Sequence, residues 1–486
     1  MDEFGSMAGR LDAVVGSGIE AAVRLKHRWR MRRLGHREAL HPPDDGSLWA
    51  TGDPPPRDGC QLEVLIDGAS AFREMAAAIE RARDYVYVAG WHIAPYFALV
   101  RGDQPVVLGT LLAEMAEQVD VRVLVWAGAP VPLFHPTRRE VAKGVETLTR
   151  RTKIRCEPDP REHPFHCHHE KLIIVDGEVA FVGGIDITDY GGDRHDVSQH
   201  PARRMLGWHD VGTRLHGPAV ADVQNHIALR WHELTGERLR CAPPPAAAGS
   251  SRVQVVRTVA EGMYDAIPKG EFRVLESYVR AIRSARRFIY LENQFLWSAE
   301  IVALLTDKLS NPASDDFRIV LVLPSKANNG QDDTKGQLGV LVDADGGNNR
   351  LLATTVRSLA GQRDDRLYVH AKVGIIDDAW LTIGSANLNA HSLFNDTEMN
   401  VATDDAELAR ATRIRLWAEH LELDPAEIAD EDPRRTVDER WRPIAAEQLR
   451  RFRANEPPTH RLVALPGVSK RSERLLGPLV GLVDDS

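Results

Sequence analysis

The sequence predicts an α/β fold built from two duplicated lobes. At 486 residues the chain is too long for a single compact core. A linker rich in Pro, Ala, Gly and Ser at residues 241–252 divides the chain near its midpoint. In each half, apolar strand-like runs alternate with helical stretches, which is the order typical of α/β domains. Together these observations indicate an internal duplication.

Three pairs of segments carry the duplication. The first pair passes from a basic helix end through an apolar strand to a polar turn, the second consists of buried-strand runs, and the third closes each half. In order, the pairs are 78–95 with 281–298, 121–126 with 317–323, and 228–234 with 414–423. The spacing also matches, because His169 lies 91 positions after Ala78 and His370 lies 89 positions after Ala281. Such matched spacing argues against chance similarity between unrelated α/β units.

One motif occurs once in each half, as "HEKLIIVDGEVAFVGGID" (169–186) and "HAKVGIIDDAWLTIGSAN" (370–387). In each copy the run after the lysine has the signature of a β-hairpin. Because side chains alternate along a strand, the histidine and lysine of each copy share one face. Asp176 and Asp377 have the opposite parity, so we expect them to hold the hairpins rather than to touch a ligand.

The residue types in this motif suit chemistry at phosphorus. A histidine beside a lysine can act as a nucleophile or an acid toward an anion, and the lysine neutralises phosphate oxygens. Glycines allow backbone N–H groups to approach the same oxygens. If the two copies face each other across a pseudo-two-fold axis, one imidazole lies on each side of the phosphorus, as in-line displacement requires. One copy then supplies the attack and the other assists the departure.

The pair of motifs resembles the phospholipase D superfamily, in which H-x-K-x4-D-x6-G-[GS]-x-[ND] occurs twice. The matching residues are His169, Lys171, Asp176, Gly183, Gly184 and Asp186, and then His370, Lys372, Asp377, Gly384, Ser385 and Asn387. The resemblance covers roughly residues 60 to 425. It implies two α/β/α lobes that share one active site at a pseudo-two-fold interface. It also implies catalysis through a phosphohistidine, without a metal or another cofactor.

The resemblance implies roles for individual residues. His169 corresponds to the usual nucleophile, which leaves His370 as general acid and then base. Each histidine usually has a carboxylate partner from a later strand, which fixes its tautomer. The catalytic candidates are therefore His169, Lys171, Asp176, His370, Lys372, Asp377, Asp210 and Glu398. The candidates for binding substrate or phosphate are Gly184, Ser385, Asn387, Asn293 and Gln294.

Asp186 departs from the pattern of the second copy, which has Asn387 at the matching position. An ionised carboxylate cannot donate a hydrogen bond to phosphate and would repel it. We therefore expect Asp186 to turn into its loop.

Two short segments favour a phospholipid substrate. "GGIDITD" (183–189) and "IYLENQF" (289–295) resemble segments of phospholipases D. The predicted function is a phosphodiesterase that hydrolyses phospholipid head groups or transfers the phosphatidyl group to an alcohol acceptor. A cardiolipin synthase-like phosphatidyltransferase is the nearest alternative. The loops at 190–208 and 326–350 are expected to form the rims of the site and to set its specificity.

Two further alternatives belong to other classes. A nuclease or DNA-repair phosphodiesterase of the same superfamily would need a basic cleft with aromatic platforms. The net charge of −9, from 61 basic and 70 acidic residues, does not favour a nucleic-acid partner. An inactive lipid-binding scaffold would have no need for two intact His/Lys pairs. The sequence leaves open the natural diester, the acceptor and the oligomeric state.

The N-terminal region is predicted to hold a basic amphipathic helix over residues 9–40, after a tag-like stretch at 1–6. Its apolar stripe comprises Leu11, Val15, Ala22, Leu25 and Trp29, with Arg24, Arg28 and Arg30 off the stripe. Such a helix can lie on an anionic membrane surface, or it can dock on its own protein with a solvated basic face. We favour docking.

The cysteines predict neither a disulfide framework nor a cysteine zinc site, because Cys60, Cys156, Cys167 and Cys241 are scattered along the chain. They favour a reducing compartment, and hence a cytoplasmic protein. Peripheral contact at the inner membrane surface is the expectation that the basic N-terminal helix adds. No apolar run approaches the ~20 residues needed to cross a bilayer. The run His163, His166, Cys167, His168 and His169 fits no standard zinc ligand set, and His168 is expected to be packed.

The predicted domain organisation has five parts. They are an N-terminal extension (1–60), a first lobe (61–240), the linker (241–252), a second lobe (253–424) and a C-terminal tail (425–486).

Overall fold

The computed structural model describes residues 18, 20–130, 135–162, 166–201, 205–325, 331–359 and 367–465. Within this part of the chain, 16 strands form one sheet that runs through both halves.

The first half contains ten strands and five helices. The strands are β1 (Arg57–Ile66), β2 (Tyr85–Gly90), β3 (Ala98–Val100), β4 (Val106–Val107), β5 (Asp120–Trp126), β6 (Arg155–Asp159), β7 (Leu172–Val175), β8 (Val179–Gly183), β9 (Gly207–His209) and β10 (Val211–His216). The helices are α1 (20–34), α2 (Gly68–Glu80), α3 (Leu108–Met115), α4 (Arg138–Thr149) and α5 (Val220–Thr235), with a 3-10 turn at Arg37–Ala39. These counts refer to the described residues only.

The second half follows the same plan. Its strands are β11 (Ser251–Val259), β12 (Glu271–Phe272), β13 (Phe288–Asn293), β14 (Arg318–Val322), β15 (Leu351–Val356), β16 (Leu367–Val369), β17 (Lys372–Ile376), β18 (Trp380–Gly384), β19 (Glu398–Thr403) and β20 (Leu462–Ala464). Its helices are α6 (Arg273–Ser284), α7 (Ala299–Ser310), α8 (Gln331–Asp345), α9 (Ala390–Phe394), α10 (Ala406–Leu421), α11 (Pro425–Ile428), α12 (Pro433–Thr436) and α13 (Arg442–Ala454), with a π-helical segment at Val437–Trp441.

The strand order confirms the predicted duplication. Read outward from the centre, the first half runs β1-β10-β8-β7-β2-β5-β6 and the second runs β11-β19-β18-β17-β13-β14-β15. Both halves therefore place the motif hairpin, β7–β8 or β17–β18, at the same position, beside a parallel trio of strands. β1 and β11 pair in antiparallel fashion and join the halves into one sheet.

Apolar side chains cover both faces of the sheet, which makes each lobe an α/β/α layer structure. In the first lobe α2, α3 and α4 pack on one face and α5 on the other. Two of the hydrophobic clusters cross the lobe boundary. Val64 and Val211 join the second-lobe cluster around Trp417, whereas Val255 and Met399 join the first-lobe cluster around Trp231. The lobes thus share their core as well as their sheet.

The segment expected to be a C-terminal tail is folded onto the second lobe as far as residue 465. β20 adds an antiparallel strand to the outer edge of β15, and Trp441 is fully buried against the second-lobe core. Residues 466–486 lie outside the described part.

The segment 326–350, which was expected to be a loop, is largely helical, because residues 331–345 form α8. Leu338 and Leu341 are buried and give this helix an apolar side.

Helix α1 is docked on the second lobe, but through a face other than the predicted stripe. His27, Met31 and Leu34 are buried, and the His27 ring stacks on Phe394 of α9. Leu25 and Trp29, which belong to the predicted stripe, are 66% and 63% exposed. Leu11 and Val15 lie outside the described residues. Among the residues described, every helix is too short or too polar to cross a membrane.

The two motif aspartates anchor their hairpins, as their strand parity predicts. Asp176 accepts hydrogen bonds of 2.8–2.9 Å from the backbone N–H groups of residues 83, 84 and 85. Asp377 accepts equivalent bonds of 2.7–2.8 Å from those of residues 286, 287 and 288. Each carboxylate therefore ties the hairpin turn to the start of the neighbouring strand. Placing Asp176 and Asp377 among the catalytic candidates does not fit this position.

We expect Asp377→Ala to lower the free energy of unfolding by about 1–3 kcal/mol, because three backbone N–H groups lose their acceptor. Asp377→Asn should cost less, since it keeps one acceptor oxygen and its residue type tolerates the left-handed backbone at φ 56°. Urea denaturation of both variants measures the difference. Equal stability of the alanine variant and the unaltered protein would contradict the anchoring role.

Candidate active site

Each motif histidine is bound by a carboxylate from the opposite lobe. His169 Nδ1 lies 3.1 Å from Oε1 of Glu398, which begins β19. His370 Nδ1 lies 2.6 Å from Oδ2 of Asp210, between β9 and β10. Backbone hydrogen bonds also cross between the lobes at these positions. The His169 N–H donates to the Thr397 carbonyl at 2.9 Å, and the His370 N–H donates to the His209 carbonyl at 2.8 Å. The sequence identified both carboxylates, and the structure places them across the interface.

This arrangement defines which imidazole nitrogen can react. All four side chains are buried, and Nδ1 of each histidine is occupied by its carboxylate. A carboxylate on Nδ1 fixes the tautomer that carries hydrogen there and stabilises the imidazolium form. Nε2 is then the nitrogen of each ring that is left for attack or proton transfer.

The two motif lysines lie within the same buried region. Lys171 Nζ donates to the His169 carbonyl at 2.6 Å and lies 3.1 Å from Asp186 Oδ2. Lys372 Nζ donates to the His370 carbonyl and, at 2.9 Å, to Oε1 of Gln294. The expectation that Asp186 turns into its loop was wrong. Its carboxylate is buried and pairs with the lysine of its own motif, which offsets the cost of burying either charge.

Two of the phosphate-binding candidates at the ends of the motifs, Gly184 and Ser385, use their donors within the protein. The Gly184 N–H donates to the Val211 carbonyl at 3.1 Å and the Ser385 N–H to the Met399 carbonyl at 3.0 Å. The Ser385 hydroxyl donates to Glu398 Oε2. Gly184 is required for another reason, because a Cβ there would lie 2.3 Å from Asp210 Oδ1. Both positions accommodate the carboxylate partners.

Of the three remaining candidates, Gln294 and Asn387 lie in the site, and Asn293 supports a loop beside it. Gln294 lies in the site, bound to Lys372 and 3.4 Å from Nδ2 of Asn387. Asn293 accepts hydrogen bonds from the N–H groups of Phe295 and Leu388, so it holds the loop that follows the second motif. Gln294 and Asn387 therefore remain candidates for contact with phosphate.

The electrostatics of the two histidine–carboxylate pairs differ. Burial raises the pKa of Asp210 to about 7, although Lys372 opposes the shift. Burial, followed by the charges of Lys372 and Arg194, holds the pKa of His370 well below its ordinary value. Burial also opposes ionisation of Glu398, but the His169 imidazole and Lys171 outweigh it and lower the pKa of that carboxyl. Burial lowers the pKa of Lys372 to about 7.

Sequence reasoning missed an aromatic wall beside His370. The Trp208 ring lies 4.4 Å from the His370 ring, and the Arg194 guanidinium lies 3.7 Å above the same indole. Trp208 on β9 pairs with Tyr368 on β16, so this wall also spans the two lobes. The sequence carries one signal for this wall, the Gly-Trp-His-Asp run that ends in Asp210 and places an indole two residues before the candidate carboxylate.

A buried charge network supports the segment that carries Asp210. His209 Nδ1 lies 3.0 Å from Asp67 Oδ1, and its Nε2 lies 2.9 Å from Glu292 Oε2. The other oxygen of Glu292 binds His420 Nε2 at 2.7 Å. Because Glu292 and His420 belong to the second lobe, the network fixes β9 against both lobes.

Three groups of side chains in the described part have the donor atoms and proximity that a metal ion would need. They are Asp67, His200, His209 and Glu419; His166, His391 and Asp396; and His209, Glu292 and His420. Their members already form short contacts with one another, such as 2.9 Å between His166 Nδ1 and His391 Nδ1.

The histidines of the run at 163–169 have different partners in the structure. His168 is buried and contacts Asp159 and Thr397, whereas His163 lies outside the described residues.

Comparison with known proteins agrees with this geometry. The family model described as "Phospholipase D" matches residues 78–207, and "Cardiolipin synthase, PLD-like domain" matches residues 278–417. Phospholipase D A of Dictyostelium discoideum is 26% identical over 466 residues, which cover 76% of this chain and 36% of the relative. Phospholipase D alpha 4 of Arabidopsis thaliana is 25% identical over 499 residues, which cover 74% and 64%. The chain thus spans about a third of the first relative and just under two thirds of the second.

A solved structure shares the fold. The phosphatidylserine synthase of Haemophilus influenzae Rd KW20 aligns with a TM-score of 0.50 at 13% identity, covering 76% of this chain and 86% of its own. One family model lies on each lobe, and each model contains one of the two motifs. The chain therefore belongs to the phospholipase D superfamily.

Proposed function

We propose that this chain is a phospholipase D-type phosphodiesterase, which hydrolyses a phospholipid head group or transfers the phosphatidyl group to an alcohol. The observation that carries the proposal is the crossed pairing of two buried imidazoles with carboxylates of the opposite lobe. It leaves Nε2 of each ring for reaction, and it brings two lysines into the same region. The names of the sequence relatives support the choice of phospholipid substrate.

The first half-reaction forms a phosphohistidine. His169 Nε2 attacks phosphorus, the P–O bond to the head-group alcohol breaks, and His370 gives its Nε2 proton to the departing oxygen. Lys171 and Lys372 neutralise the phosphate oxygens. The imidazolium character that His169 gains is stabilised by Glu398, whose pKa is lowered and which stays ionised.

The second half-reaction reverses these roles. His370 Nε2 takes a proton from water or an alcohol, whose oxygen forms the new P–O bond while the bond from His169 to phosphorus breaks. Water gives phosphatidic acid, and an alcohol gives a new phosphatidyl ester.

Incubation with mixed phospholipids and a primary alcohol, followed by mass spectrometry, decides between these two products. A parallel incubation with single-stranded DNA tests the nuclease alternative.

We further propose that the outer face of α1 contacts an anionic membrane. Leu25 and Trp29 are exposed on this face, together with Lys26, Arg28 and Arg32. Apolar anchors beside basic side chains are the pattern of helices that bind anionic lipid surfaces. The opposite face of α1 is fixed on α9, which directly follows the second motif, so membrane contact would occur close to the active site.

The assignment of the two histidines predicts different labelling of two variants. His169→Ala should form no covalent intermediate. His370→Ala should be labelled by a diester with a p-nitrophenol leaving group, which needs little protonation, and should then stall for lack of a base. Its turnover of an alkyl diester should fall by roughly 10²–10⁴. The reaction contains EDTA and is stopped with base, in which a phosphohistidine is stable, and the label on the protein is then measured.

The reverse labelling pattern would mean that the roles are exchanged. Label on neither variant would contradict a covalent mechanism. Label that disappears in EDTA and returns with zinc or calcium would contradict metal-independent catalysis.

The electrostatics predict a pH dependence. With the pKa of Asp210 raised to about 7, the His370–Asp210 pair holds one proton below about pH 7 and loses it above. For a substrate with an alkyl leaving group, kcat/KM should therefore decrease above pH 7, and the decrease should approach tenfold per pH unit. A p-nitrophenyl diester serves as the control, because its profile should be flatter. A profile for the alkyl ester that rises through pH 7–9 would contradict the assignment.

Replacing the exposed anchors of α1 tests the membrane contact. Leu25→Ser with Trp29→Ser should weaken binding to anionic vesicles at least tenfold, since each side chain contributes about 1.5–3 kcal/mol when buried in lipid. Turnover of a soluble diester should not change. Val342→Ser on α8 is the matched control, because it removes another exposed apolar side chain. Unaltered vesicle binding by the double variant would contradict the proposal.

A further inference from the structure

Arg194 is a buried cation beside the active site for which the proposed reaction has no role. It lies in the segment between the first motif and β9 and is 4% exposed. Its Nη2 donates to the Tyr190 carbonyl at 3.0 Å. Among the described residues, its Nε and Nη1 have no hydrogen-bond partner. A buried charge with unsatisfied donors is costly unless another group pairs with it.

The position of the guanidinium points to the reacting centre. Its Cζ lies over the Trp208 ring, 3.7 Å from the ring centroid, and the same ring contacts His370. Stacking on an indole fixes the plane of the guanidinium without using its N–H groups. The charge of Arg194 also acts on His370 and Asp210, where it opposes protonation of the imidazole and favours ionisation of the carboxyl. Arg194 thus contacts the same indole as His370, one member of the pair that transfers the proton.

The two lysines of the site share their donors between phosphate and groups of the protein. Lys171 pairs with Asp186 at 3.1 Å. Lys372 donates to Gln294, and burial lowers its pKa to about 7, so it carries only part of a charge near neutral pH. Arg194, by contrast, keeps two nitrogens, Nε and Nη1, without a hydrogen-bond partner among the described residues. A phosphodiester brings a negative charge and oxygens that can accept hydrogen bonds from them.

We infer that Arg194 binds the phosphate group of the substrate through its free N–H donors at Nε or Nη1. This inference rests on the proposed function, because it assumes that the phosphate enters between the two histidines. The contact would be a charge-assisted hydrogen bond, the stronger kind of hydrogen bond to phosphate. In the second motif Asn387 supplies an amide donor for phosphate, but the matching residue of the first motif, Asp186, is a carboxylate and supplies none. Arg194 would provide the donor that the first motif lacks.

The test compares Arg194→Gln and Arg194→Lys with the unaltered chain. Inorganic phosphate is the probe, with its Kd measured by calorimetry, and kcat and KM are measured on a soluble diester. Arg194→Gln should weaken phosphate binding at least tenfold and raise KM, whereas Arg194→Lys should recover part of the affinity. The melting temperature without phosphate should not fall, since the variant removes an unpaired buried charge. The matched control is Arg252→Gln, which removes an exposed arginine stacked on Trp49.

Wild-type phosphate affinity in folded Arg194→Gln would overturn the inference. A purely structural role would instead lower the melting temperature and leave the Kd unchanged, which also overturns it. If Arg194→Gln does not fold, a crystal structure of the unaltered protein with tungstate decides, and an anion bound without contact to Arg194 refutes the assignment. Absence of turnover of every phosphodiester by the unaltered protein would reject the proposed function instead, while phosphate binding still tests Arg194.

Discussion

The site depends on one constraint: each motif histidine takes its carboxylate partner from the other lobe. His169 binds Glu398 and His370 binds Asp210, so neither lobe contains a finished pair by itself. The lobes must therefore keep a fixed relation to within a hydrogen-bond length. The continuous sheet through β1 and β11, the hydrophobic clusters shared across the boundary and the parallel β9–β16 pair all enforce that relation. Rigid support of this kind is what a preorganised site requires.

The duplication is broken where the two copies need different properties. Ser385 gives its hydroxyl to Glu398, whereas the matching Gly184 leaves Asp210 without such a donor. Burial opposes ionisation of both carboxyls, but His169 and Lys171, with a smaller contribution from Ser385, lower the pKa of Glu398, whereas burial prevails at Asp210 and raises its pKa. A permanently ionised partner suits a histidine that becomes positively charged on attack. A partner that can share a proton suits a histidine that acts as acid and then base, and this asymmetry supports the proposed division of roles.

The distribution of charge around the site follows from burial. The net charge of −9 belongs to the molecule as a whole, yet the space between the lobes holds two lysines and an arginine. Asp186 pairs with Lys171, since a buried charge needs a partner. The basic outer face of α1 is a separate feature and is solvent-exposed. A local cation cluster and a basic helix are thus compatible with an acidic protein.

The sequence by itself determined the two-lobe duplication, the motif hairpins and most of the residues that meet in the site. Strand parity sufficed to place His169 with Lys171 and to direct Asp176 away, because alternation is a local property of the backbone. Other features were decided only by the tertiary structure. These are the crossed pairing of carboxylates, the Lys171–Asp186 ion pair and the position of Arg194 on Trp208. Crossed pairing and stacking join residues far apart in the chain, and the partner of a buried charge depends on what the whole fold brings near it.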